Sequence, residues 1–127
     1  MELKELFDIQ EKLESRINAY WTYWSVAIFA IGGWLFSGKQ SLSQQQSLAI
    51  AIGVSAFFLA NLGVLWPATR LVIGIRDEIR LRANECDFLS LKLSQAFTKN
   101  SLAFRLELTL ILHIVVDLVL LWALFNL

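Results

Sequence analysis

The 127 residues are 57 % apolar and 17 % charged, with 11 Lys plus Arg balancing 11 Asp plus Glu. Soluble domains average roughly half apolar and about a quarter charged, so the composition points to a membrane class. Zero net charge argues against nucleic acid as a partner, because phosphate binding needs a clustered basic surface. One cysteine, Cys86, one histidine and scattered carboxylates give no internal disulfide and no metal-ligand spacing.

Residues 2–18 are predicted to form a cytosolic amphipathic helix. Leu3, Leu6, Phe7, Gln10, Leu13 and Ile17 share one face, and Lys4, Glu5, Asp8, Glu11 and Lys12 the other. Its acidic bias disfavours a lipid-surface helix and favours packing on other cytosolic helices. The acidic start and the late onset of apolar sequence do not fit a cleaved signal peptide. The first apolar segment is therefore expected to remain in the mature protein.

A bilayer-crossing helix needs ~20 apolar residues. Span one is predicted over 19–36. Tyr20, Trp21, Tyr23 and Trp24 crowd one end, and Trp34 and Phe36 close the other, as in an interfacial aromatic belt. Residues 37–47 read as a polar outer connector, in which Ser43 and Gln46 have the spacing of a capping box. Span two is predicted over 48–66. Ala49, Gly53, Ala56, Ala60 and Gly63 give it a seam of small residues, the pattern that lets helix backbones approach closely. That seam either packs inside one protomer or contacts a second copy.

Pro67 predicts a kink and a boundary at the end of span two. Residues 68–101 are then expected to form a cytosolic helical hairpin, with a turn at Asn84 to Asp87 and a return arm near 88–97. Arg76, Arg80 and Arg82 read as anchors or as partners of Asp77, Glu78 and Glu85. Span three is predicted over 104–127. The expected fold is an all-α integral membrane protein of one domain, with three spans, the N-terminal helix and the hairpin. Ten of the eleven basic residues fall on the side of the N-terminus and the hairpin. That side should be the cytosol of a plasma or inner membrane, with the C-terminus outside.

The sharpest chemical signal is Asp117, near the middle of span three. A carboxylate at that depth costs at least ~2.5–3.5 kcal/mol and marks a functional or assembly site. His113 lies one helical turn away on the same face. Depth matching in an antiparallel helix pair sets Asn61 opposite His113 and Ser55 opposite Asp117. Three roles are open to this group: interhelical glue, an ion pathway, or a socket for a charge on another chain. In a ring of copies, Leu106, Leu110, His113, Asp117, Leu120 and Leu124 would form one stripe able to line an axis.

No phosphate loop, nucleophile–base pair, haem motif or zinc motif is present, so neither enzyme activity nor a cofactor is expected. The leading expectation is a membrane protein that self-assembles as a homo-oligomer, forming a pore, an ion channel or a bilayer-perturbing assembly. The alternatives are an accessory or assembly subunit bound to another membrane protein and, behind it, a proton relay or small transporter.

Overall fold

The computed structural model describes residues 2–38, 41–83 and 104–127. These are all-helical, in three elements: α1 (Leu3–Phe36), α2 (Gln44–Ala83) and α3 (Arg105–Asn126). At 1.5 Å rise per residue the three are about 51, 60 and 33 Å long. Two of them, α2 and α3, are long and apolar enough to cross a membrane. α1 falls short of that measure. Its first half is amphipathic, and Tyr20, Trp21, Tyr23 and Trp24 bring polar groups into its second.

The predicted elements 2–18 and 19–36 are one continuous helix. No Gly or Pro interrupts residues 2–31, so nothing local forces a break. α1 ends at a turn in which Gly38 takes φ +69°, a left-handed conformation natural to glycine after a helix. The Ser37 hydroxyl donates to the Trp34 carbonyl at 2.7 Å, satisfying an end-of-helix acceptor.

The connector is shorter than 37–47, because α2 starts at Gln44. Ser43 and Gln46 form the reciprocal pair that their spacing suggests. The Gln46 N–H donates to Ser43 Oγ at 3.1 Å, and the Ser43 N–H donates to Gln46 Oε1 at 2.9 Å.

The boundary expected at Pro67 is absent, and α2 runs through it. The reason is packing on both sides of the proline. Leu65, Ala68 and Val72 lock against Leu13 and Ile17 of α1, holding the helical path where the missing N–H would have ended it. The part of the expected hairpin from 84 to 101, including its turn and return arm, lies outside the described residues. α3 matches the predicted third span to within a residue at its start.

Two clusters make the core. In one, Trp24 and Leu35 of α1 meet Ala51, Val54 and Phe58 of α2 and Leu120, Ala123 and Leu124 of α3. In the other, the amphipathic half of α1 packs on α2 through Leu13, Ile17, Leu65, Ala68 and Val72. Lys4, Glu5, Asp8, Glu11 and Lys12 are exposed on the far side of α1, as the spacing anticipates.

Candidate functional site

Arg105, Thr109, His113 and Asp117 recur every fourth residue along α3 and so share one ridge. The ridge is turned inward. Thr109 is 1 % exposed and His113 2 %, while Arg105 and Asp117 are half-buried.

At its outer end the Arg105 guanidinium forks onto Glu14 of α1, with Nη1 to Oε1 at 2.6 Å and Nη2 to Oε2 at 2.7 Å. A bidentate pair of this kind is among the stronger polar contacts available. The hydrogen bond from Arg105 holds the Glu14 carboxyl below its ordinary value of 4.5, against the opposing effect of partial burial. The charges of Arg105 and Arg76 pull in the same direction.

One turn inward, the Thr109 hydroxyl donates to the Arg105 carbonyl at 2.8 Å. His113 Nδ1 lies 2.9 Å from the Thr109 carbonyl, which can only accept, so Nδ1 carries the proton. In the neutral ring Nε2 is then an acceptor, and the Asn61 amide at 3.1 Å donates to it. Neutral imidazole is thus fully satisfied with its tautomer set by its partners. Trp24 stacks on the ring with centroids 4.8 Å apart, and Trp21 meets it edge-on at 5.1 Å.

At the inner end the Ser55 hydroxyl reaches both oxygens of Asp117, at 3.4 and 3.3 Å. These distances are long for a hydroxyl on a carboxylate and describe a weak, shared contact. The other side of Asp117 borders a cleft of about 90 Å³ between α2 and α3, with Phe58, Leu59, Leu62, Ile114 and Leu118 around it.

The structure therefore brings Asn61 to His113 and Ser55 to Asp117, the pairs that matched in depth. It corrects two other expectations. The stripe proposed to line an axis faces the interior of the single chain: His113, Leu120 and Leu124 are buried, and Leu106, Leu110 and Asp117 half-buried. Trp24, expected to face outward as an aromatic anchor, is instead 8 % exposed and seated against His113 and Phe58. Eight residues, about 12 Å of helix rise, separate His113 from Arg105, so this ring belongs to the interior.

The small-residue seam of α2 has the opposite fate. Ala49, Gly53, Ala56, Ala60 and Gly63 are all exposed, and they lie across α2 from Val54, Phe58, Asn61 and Leu65. A Cβ added at Gly53 or Gly63 would meet nothing within 4 Å. Among the described residues the seam therefore faces away from the core, with Gly63 at its end bordering a groove between α1 and α2.

Glu14, Thr109, Trp21 and Trp24 are members of the site that sequence reasoning passed over. The fourfold spacing from Arg105 to Asp117 was the available signal for Thr109. Glu14 offered one too, as a carboxylate between Leu13 and Ile17 on the apolar side of its helix. Of the basic cluster, Arg80 pairs with Asp77 at 3.6 Å and Arg82 with Glu78 at 3.0 Å. Among the described residues no group of three His, Cys, Asp or Glu side chains is placed to hold a metal ion. Compared with known proteins, the chain matches no family model, no curated protein and no solved structure.

Proposed function

We propose that this is a three-span membrane protein with a cytosolic N-terminus, and that it works without catalysis, by assembling with copies of itself through the outer face of α2.

The membrane part of the reading rests on where charge and apolar surface lie. Inward of Arg16 and Glu107, as far as the turn joining α1 to α2, the described residues carry one charged side chain, Asp117. Large apolar side chains face outward over that band on all three helices, among them Phe29 (80 % exposed), Leu59 (68 %) and Leu118 (60 %). Soluble monomers rarely expose apolar surface on this scale. Only 22 % and 28 % of the most apolar stretches of α2 and α3 are buried within the protein, whereas a soluble core helix would be mostly buried. The length of α3, about 33 Å, suits a hydrocarbon layer of about 30 Å. α1 and α2 extend past that layer on the side rich in Lys and Arg, which favours the cytosol there.

The assembly part is carried by a single observation, the exposure of all five seam residues on the side of α2 away from the core. In lipid, helix association depends on close van der Waals packing, and small residues permit it. A conducting path in such an assembly would need a lining other than the Asp117 stripe, whose hydrogen bonds are made within the protomer.

A second reading, an accessory subunit docked on a different membrane protein, is favoured by the cleft beside Asp117. A second copy offers no Lys or Arg at that depth in its described residues, so a cation meeting Asp117 would come from another chain.

Native mass spectrometry of the protein released from nanodiscs tests the choice. Self-assembly predicts one homo-oligomer that Gly53→Leu and Ala60→Leu convert to monomer. A monomeric wild type contradicts it, and co-purification of a stoichiometric basic-span partner would favour the second reading.

A further inference from the structure

On the side of α1 away from Glu14, a groove of about 290 Å³ runs between α1 and α2. Leu13, Gly63, Val64, Pro67 and Leu71 line it, and Arg16 stands at its rim. Gly63 contributes no side chain, and open space lies where its Cβ would be. The floor is therefore apolar and open at Gly63.

Arg16, like Arg70 of α2, differs from the paired arginines of the chain. Arg105, Arg80 and Arg82 each have a carboxylate partner. Among the described residues Arg16 has no ion-pair or hydrogen-bond partner, and it is exposed. It lies two residues, about 3 Å of rise, inward of Glu14, at the edge of the charge-free band. A long arginine there lays its methylenes along apolar surface and lifts its head to the phosphate level. Lys12, one turn outward on the same face, adds a second exposed cation.

We infer that this groove binds one anionic phospholipid of the cytosolic leaflet, its phosphate on the Arg16 guanidinium and one acyl chain along Gly63, Val64 and Pro67. The inference rests on the membrane reading above. Charge selects the occupant. A zwitterionic lipid brings its own cation to the phosphate, whereas an anionic lipid leaves a net negative charge for Arg16, the cation that lines the groove. The planar fork of arginine also matches a phosphate better than an ammonium would.

The test uses the full-length protein in mild detergent, titrated with phosphatidylglycerol, phosphatidylcholine or inorganic phosphate and read by native mass spectrometry. Phosphatidylglycerol should bind about fivefold more tightly than phosphatidylcholine, the scale expected for one interfacial cation. Inorganic phosphate should leave no adduct. Arg16→Gln should abolish the preference, while Arg70→Gln, whose arginine does not line the groove, should preserve it. Equal binding of the two lipids, a preference that survives Arg16→Gln, or binding of inorganic phosphate without lipid preference would each overturn the site. Alkaline extraction of the source membranes separates this failure from that of the underlying reading. Protein that stays in the membrane but lacks the lipid preference overturns the lipid site alone, and protein released by alkali overturns both.

Discussion

The inner and outer parts of the molecule are held by different means. Inward of Ile17, three helices meet, and their shared core includes two polar pairs, Asn61 with His113 and Ser55 with Asp117. Outward of it, among the described residues, α1 and α2 pack chiefly through aliphatic side chains, Leu13 and Ile17 against Leu65, Ala68 and Val72. The Glu14–Arg105 fork marks the junction and ties the start of α3 to α1. The contrast follows from the surroundings. Where water can reach, burial of apolar area suffices to join two helices. On the proposed membrane reading the inner part lies in hydrocarbon, where that drive is missing and close packing, aromatic stacking and hydrogen bonds take its place.

The largest expected effect is in the inner part. Trp24→Ala removes a ring that touches His113, Trp21 and Phe58 at once. It should cost about 3–5 kcal/mol, read as a lowered midpoint in detergent-induced unfolding. A loss smaller than that of Leu13→Ala would erase the distinction between the two parts.

Next comes Asn61→Ala. It leaves His113 Nε2 buried without its donor, at a cost of about 1–2 kcal/mol, the upper end for hydrogen bonds between membrane helices. An unchanged midpoint would mean that the polar pair is not part of what holds the inner core.

The smallest effect belongs to the junction. Glu14 has a lowered folded pKa, so its stabilising contribution is complete above its ordinary value of 4.5 and is lost as pH falls through the folded value. With side chains 22 % and 32 % exposed, the pair contributes about 1 kcal/mol or less. Unfolding midpoints between about pH 6 and about pH 3 should therefore fall less in Arg105→Gln than in the wild type. Parallel pH profiles would remove the fork from the energetics of the junction.

Much of this was legible in the sequence, for reasons that can be named. The apolar face of α1 and the Ser43–Gln46 cap are local patterns, fixed by residues three or four apart. The pairing of Asn61 with His113 and of Ser55 with Asp117 followed from helix rise and antiparallel packing alone. What escaped was non-local. Glu14 and Arg105 lie 91 residues apart, and nothing near either one names the other. The stop expected at Pro67 was overridden by contacts with α1. Trp24 shares its residue type and neighbours with interfacial anchors, and only the facing position of His113 draws it into the core. The direction of the α2 seam was likewise undetermined until the opposite face of the helix was seen to be filled.

Disulfide trapping in native membranes tests the outward seam most directly. In a background with Cys86→Ser, Ala56→Cys places a thiol on the exposed seam, and Phe58→Cys places one at a position 3 % exposed in the protomer core. Mild oxidation should yield a covalent dimer from Ala56→Cys and none from Phe58→Cys. A dimer from Phe58→Cys alone, or from neither variant, would contradict assembly through this face of α2.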